Sequence, residues 1–228
     1  MERNLFETEF AIYYEKIVNR ISSIFFVNRW RKLMIKESLK VSKDNKIVVD
    51  FCSGVGNVGK ELIKFSKPKL LINCDLSMTL LKIGKRKLKG KGIYFVRADN
   101  RFFPIKKNSL DILFTSFCVR HSPEPEKTVE EAFKTLKEKG VWGNIEFFRP
   151  ESKPITYRLS ELMFKSFINF NRLIVPKYSE EFKSFFKSIE EFYTISEFNN
   201  LLESKGFNLI KVKSLMNGIA YVTIAVKP

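Results

Sequence analysis

The ten residues from Ile47 to Gly56, IVVDFCSGVG, constrain this chain more than any other stretch. An apolar run rich in β-branched residues ends in an acid and passes directly into a turn carrying Gly54 and Gly56. A second apolar run, LLINCD, ends in Asp75, 25 positions after Asp50. A strand, a tight glycine turn and a second strand tipped with a carboxylate make up the nucleotide-binding half of a doubly wound α/β sheet. The glycines do not follow the G-x-G-x-x-G spacing, which argues against a dinucleotide.

The remaining punctuation extends that sheet. Strands are predicted at Lys46 to Phe51, Leu70 to Cys74, Ile93 to Arg97, Leu110 to Ser116 and Val141 to Phe147. Helices are predicted at Val58 to Ser66, Met78 to Leu88 and Pro125 to Lys137, stopped by Pro68, Gly90 and Gly140. Such alternation implies a mostly parallel sheet with helices on both faces. Phe6, Phe10, Tyr13, Ile17, Ile21 and Ile24 recur at helical spacing, and Trp30, Leu33, Met34 and Leu39 continue an apolar face. Two helices are therefore expected before the first strand, with a break near Phe26 to Asn28. Pro150 and Pro154 open a mainly helical segment reaching about Tyr193, followed by a helix from Ser196 to Lys205. Strands at Asn208 to Ser214 and Ala220 to Val226 flank Asn217-Gly218, a strong hairpin signal.

At 228 residues the chain fits one domain with a real core. No run approaches the roughly 18 apolar residues of a membrane-spanning helix. The start, Met1-Glu2-Arg3-Asn4, lacks a basic segment followed by an apolar one, so the chain reads as intracellular. Cys52, Cys74 and Cys118 form neither a disulfide framework nor a zinc-ligand pattern. They read as small buried residues near strand ends, although a bridge between Cys52 and Cys74 on neighbouring strands is geometrically open. The net charge of +16 suits nucleic acid, an anionic membrane surface or a solvated basic face. The lysines are scattered, densest from Lys82 to Lys91, and are not interleaved with an RNA-binding module.

Candidate site residues lie at the ends of successive strands. Gly54, Val55 and Gly56 let backbone approach a ligand, and the helix after them offers free N–H groups to a carboxylate. Asp75, beside Leu76, suits a ribose diol, or caps the next helix together with Ser77. Asp99 and Asn100 suit the adenine amino edge, or form an ordinary turn pair. Ser116 ends the fourth strand and borders the same space. Arg120 and His121, the only histidine, follow at once. The arginine favours a neutral imidazole, the form a general base needs, while a surface-loop histidine is the plainer reading.

Several segments together resemble the ubiquinone/menaquinone biosynthesis C-methyltransferases, a class of S-adenosylmethionine (SAM) methyltransferases. They are VNRWRKLM, VVDFCSGVG, CDLSMTLLKIGKRKL, RADNRFFPIKKNSLD, TSFCVRHSPEP, EEAFKTLKEKG, IEFFRP, SIEEF and MNGIAYVTIAVK, in order over nearly the whole chain. The resemblance implies a Rossmann-like seven-stranded sheet with N-terminal helices (1–42), a cofactor core (43–150), a helical lid (151–194) and a closing helix and hairpin (195–228). It implies transfer of a methyl group from SAM to a ring carbon of a prenylated quinol. Asp50, Gly54, Val55, Gly56, Asp75, Leu76, Asp99, Asn100 and Ser116 inherit cofactor binding by position, and Arg120 and His121 inherit a place near the ring. The chain departs from the family pattern at Cys52, a glycine in the broader superfamily, at Val55, a threonine, and at His121, an asparagine. LKEKG stands where the family has L-K-P-G-G.

No metal is expected. The partners implied are a prenylated quinol or another small aromatic molecule, an anionic membrane surface and a second copy of the chain. The location implied is cytoplasmic, peripheral at the inner face of the membrane. The apolar residues from Leu159 to Phe186 then read as a lid buried on the sheet, with some covering an isoprenoid tail. Leu159, Met163, Phe167 and Phe170 form one helical stripe of that lid. The alternatives are methylation of a soluble small molecule and, with no N-P-P-Y-like motif after strand four, more remotely of RNA.

Overall fold

The computed structural model describes residues 12–13, 26–42, 44, 46–174 and 176–228. Seven strands form one sheet: β1 (Ile47–Phe51), β2 (Leu70–Asp75), β3 (Ile93–Arg97), β4 (Leu110–Ser116), β5 (Leu136–Phe147), β6 (Asn208–Leu215) and β7 (Ala220–Val226). Their spatial order is β3-β2-β1-β4-β5-β7-β6. The first five strands run parallel, and β7 inserts antiparallel between β5 and β6. The described α-helices are α1 (Asn28–Val41), α2 (Asn57–Leu62), α3 (Met78–Lys87), α4 (Pro125–Thr135), α5 (Ile155–Ile174), α6 (Ser179–Glu190) and α7 (Ile195–Ser204).

Successive residues of a strand point to opposite faces, and both faces here are covered. Val48, Ile112, Phe114, Val141 and Ile145 join Trp30, Met34 and Ile35 of α1 and Leu62 of α2 in one buried cluster. Val49, Leu113 and Trp142 join Val129 of α4 and Phe198 and Leu202 of α7 in the other. Local signals hold the helix ends. Ser77 accepts the Leu80 N–H at the start of α3, and Thr194 and Glu197 exchange hydrogen bonds in a capping box at α7.

Most predicted boundaries lie within two residues of the structure; β5 and α2 differ more. β5 begins at Leu136 rather than Val141, so α4 stops at Thr135 rather than Lys137. Leu136 pairs with Leu110, and the register then shifts through Lys139, whose φ is 62°, before Val141 meets Ile112. The charged LKEKG run hides this bulge, because its composition reads as helix end and turn. α2 ends at Leu62, short of the predicted Ser66. The Asn217-Gly218 signal forms its hairpin, with both residues at positive φ. The predicted helix over Phe6 to Ile24 lies outside the described residues apart from Ile12 and Tyr13, which are helical, and the Tyr13 ring sits 5.0 Å from that of Tyr178.

Two expectations are corrected. In the lid, Tyr157, Phe164 and Ile168 of α5 turn inward with Phe182 and Phe185 of α6. The predicted stripe faces mainly the other way: Leu159, Met163 and Phe170 are 57%, 71% and 63% exposed. α5 carries apolar residues on two sides, and periodicity alone does not say which side meets the sheet. Among the cysteines, the expected set of three unbridged buried residues is overturned: Cys52 is half-buried and joined to Cys118, and the open alternative of a Cys52–Cys74 bridge is not formed. Cys74 pairs in register with Phe51 and stays buried and free. Cys52 lies one residue beyond β1 with φ 56°, where the chain turns toward the loop after β4.

Candidate active site

The carboxyl ends of β1 to β4 form a cup. In the loop after β1, Gly54 and Gly56 adopt φ of 54° and 77°, the left-handed region that favours glycine. A side chain at Gly54 would meet only a Leu80 methyl at 3.9 Å, so its Cα faces nearly open space. Val55 is buried against Leu80 beneath the loop, which leaves only its backbone for the cup. Gly54 donates its N–H to Oδ2 of Asp75 at 2.8 Å, and Ser77 donates to Oδ1 at 2.8 Å. The carboxylate is therefore aimed by two backbone amides, and helix capping at α3 falls to Ser77. Burial raises the Asp75 pKa, and these amides oppose the rise. Leu76 turns its carbonyl outward, where it accepts from Arg97 Nε at 2.9 Å.

Asp50 lies at the centre of the sheet, paired with Asn73 and Phe114, and is fully buried. Its pKa is pushed up to about 8 by burial, with the Arg31 charge opposing. Among the described residues Ser53 Oγ and Ser116 Oγ have no hydrogen-bond partner, and the Asp50 carboxylate has no side-chain partner, with only the Gly59 backbone N–H beside it. Orphaned polar atoms at adjacent strand ends beside an open glycine loop fit a polar ligand such as the amino acid part of SAM.

After β3, Asp99 and Asn100 diverge. Asp99 is clamped by Arg101, whose Nε and Nη2 lie 3.0 and 2.7 Å from its oxygens, and that pair holds its pKa low. Asn100 instead turns its amide toward the sulfurs of Cys118 at 3.7 Å and Cys52 at 4.0 Å. The predicted pair thus separates into an ion-paired acid and an amide on the cup wall.

The short 3-10 helix Val119–His121 follows β4. Arg120 is 7% exposed and held on several sides. Its Nη1 donates to Glu146 Oε1, its backbone N–H to Glu146 Oε2 at 3.4 Å, and its Nε to Ser188 Oγ of α6 at 3.2 Å. Its guanidinium lies 5.2 Å from the Phe147 ring centre and 5.0 Å from that of Phe185. Nη2 makes no hydrogen bond among the described residues and is the donor left over. Burial, with the Arg120 charge second, holds His121 well below its usual pKa, so the imidazole is neutral.

Around Arg120 the rings of Trp30, Phe117, Phe147, Phe164, Phe185 and Phe186 line an aromatic cluster between α1, β5 and the lid. Glu146 and Ser188 are not among the site residues expected from the sequence. Their only signal was that IEFFRP and SIEEF carried part of the family resemblance.

Comparison with known proteins bears on this arrangement. The chain is 28% identical over 225 residues to the demethylmenaquinone methyltransferase of Lactobacillus johnsonii, covering 96% of this chain and 90% of that protein. It is 28% identical over 226 residues to the ubiquinone/menaquinone biosynthesis C-methyltransferase UbiE of Campylobacter jejuni, covering 96% and 94%. Among solved structures, a SAM-dependent methyltransferase from Aquifex aeolicus superposes with a TM-score of 0.61 at 17% identity, covering 92% of this chain and 98% of that one. SAM is accordingly the cofactor and methyl transfer the reaction class. Residues 3–227 match the ubiE/COQ5 methyltransferase family, and the chain belongs to it.

Proposed function

We propose that the protein methylates a ring carbon of a prenylated quinol precursor, with the aromatic cluster under the lid as its substrate chamber. Supporting this is the buried Arg120, held by Glu146 and Ser188 against Phe147 and Phe185. A phenol ring needs apolar faces to lie against and a donor for its oxygen, and the Phe147 and Phe185 rings beside the Arg120 guanidinium are groups of that kind. SAM supplies an electrophilic methyl group. The chain's residues do the rest. Asp75 and Leu76 hold the ribose, Asp99 and Asn100 border the adenine, and the backbone of Gly54, Val55 and Gly56 with Asp50 and Ser116 receives the amino acid part. Arg120 Nη2 steadies negative charge on the ring oxygen in a dry site. His121, neutral, accepts the ring proton directly or through water, although its lowered pKa makes it a weak base. The segment 151–194 is the lid that excludes water.

The substrate assignment is tested by quinone profiling of cells lacking the protein. Accumulation of a quinone one methyl short supports it, and an unchanged quinone pool refutes it. Arg120→Ala should abolish methyl transfer while SAM affinity stays nearly unchanged.

The exposed Ile155, Leu159, Leu162, Met163, Phe170 and Leu173 give α5 an apolar outer face on a chain of net charge +16. We propose that this face rests on an anionic membrane surface, where a prenylated substrate resides. Among the described residues no helix is long and apolar enough to cross a membrane. Flotation with anionic vesicles at low salt tests the contact, and failure to float removes it.

A further inference from the structure

The strand order turns back between β1 and β4: the chain builds outward through β2 and β3, then returns to the other side of β1. The loops leaving β1 and β4 therefore head in opposite directions, and the crevice between them is where ligands enter such sheets. Cys52 and Cys118 stand on its two lips. Cys52 is the first residue after β1, and Cys118 is the second after β4, two residues before Arg120. Their sulfurs are bonded, with Cα atoms 5.6 Å apart. That separation is within ordinary reach of a bridge, so the strands need not move to form it.

The two sulfurs differ in access. Cys118 is 1% exposed, whereas Cys52 is half-buried. The third cysteine cannot compete: Cys74 is fully buried, and burial, with the Asp50 and Asp75 charges adding, pushes its thiol up to about 12.

We propose that Cys52 and Cys118 form a reversible thiol–disulfide latch across the SAM crevice, closed by small-molecule disulfides. The inference rests on SAM binding at the strand ends of this cup. The Cys52 thiolate attacks one sulfur of the small disulfide, its S–S bond breaks, and one small thiol leaves with the proton Cys52 gave up. The Cys118 thiolate then attacks the Cys52 sulfur of the mixed disulfide and expels the second small thiol. Two protein thiols are oxidised by two electrons, and the small disulfide is reduced to two thiols. Excess dithiol runs the sequence backward. The bridged form ties the glycine loop to the loop carrying Arg120 and fixes the two lips of the crevice against each other, and the dithiol form frees them to part and admit cofactor. Reciprocally, bound SAM shields the dithiol.

The full chain is prepared in excess dithiothreitol and, separately, treated with oxidised glutathione that is then removed. Alkylation under denaturing conditions followed by mass measurement should find three free cysteines in the first sample and only Cys74 in the second. Calorimetry should show SAM binding at least about tenfold weaker in the second, restored by dithiothreitol, and saturating SAM should shift the thiol–disulfide equilibrium with glutathione toward the dithiol by a similar factor. Cys118→Ser should collect a glutathione adduct on Cys52, and Cys52→Ser none on buried Cys118. Equal SAM affinity in the two redox forms, or three free cysteines after oxidation, would overturn the latch alone. Reduced protein unable to bind SAM would overturn the cup and the latch with it.

Discussion

Replacing Glu146 by Gln keeps the shape of the side chain and removes its charge. Its carboxylate is fully buried, and the Arg120 side chain it neutralises is 1% exposed. Removing one member of such a pair strands the other charge in an apolar site, which costs about 3–5 kcal/mol. The amide oxygen of Gln can still accept from Arg120 or from the Phe147 N–H, now 3.0 Å from Oε1, so the lower end of that range applies. For a chain of this size, about 3 kcal/mol lowers Tm by roughly 6–12 °C. Arg120 is then held on β5 by at most a neutral hydrogen bond instead of an ion pair, so its aim loosens and kcat should fall at least about tenfold while the affinity for SAM holds. Urea and thermal denaturation, calorimetry with SAM and a methyl-transfer assay read the three quantities. An Arg120→Met, Glu146→Leu double variant provides the control. It should regain much of the stability, since apolar replacement of a buried pair is close to neutral, and remain inactive. A Glu146→Gln protein with unchanged Tm and unchanged kcat would refute the view that this pair holds the arginine in place.

Other perturbations test the cup. Asp75→Asn removes the charge aimed by the Gly54 and Ser77 amides, and SAM affinity should fall by roughly 10- to 100-fold in calorimetry, as expected for one charge-assisted hydrogen bond. Asp50 has a folded pKa of about 8 against an ordinary 3.8. Its contribution to stability is thus full below about 3.8 and is lost as pH rises through about 8. Urea denaturation of SAM-free protein should accordingly show stability falling across that window, and Asp50→Asn should flatten the slope; an unchanged slope would contradict the buried acid. At Gly84 of α3 an added methyl would lie 2.6 Å from the Phe95 ring and 3.0 Å from the Val55 carbonyl carbon. Gly84→Ala should destabilise by about 1–3 kcal/mol and weaken SAM binding by displacing the glycine loop, both readable by denaturation and calorimetry.

The sheet was legible because each parallel strand is a short apolar run closed by a turn signal, and Asp50, Asp75 and Asp99 fall at or beside the ends of three such runs. What stayed hidden depends on relations between distant elements. Glu146 sits inside the apolar run of β5, where an acid reads as a solvent-facing position, and only the packing of α6 and the Val119–His121 turn above it reveals a buried partner. The Cys52–Cys118 pair required knowing that β1 has β4 as a neighbour. Spacing in the sequence puts Cys74 nearer, yet Cys74 points into the core. The outward face of α5 was hidden for another reason: a helix with apolar residues on two sides gives a periodic signal for either.

Arg120 draws its fixed geometry from two sources of different character. Glu146 belongs to β5, which is part of the sheet and does not move independently of it. Ser188 and Phe185 belong to α6, the inner helix of the lid, so the arginine is fully held only while that helix is seated. A net-neutral Arg–Glu pair is a weak attractor of anions at a distance, and what it offers a phenol oxygen is a donor fixed in direction in a site without water. Placing part of that fixation on the lid makes the donor depend on closure. The outer face of the same lid is the apolar surface of α5. On the proposed membrane contact, a lid that completes the arginine's cage on its inner side and carries the apolar face of α5 on its outer side would link capture of an apolar substrate to assembly of the site.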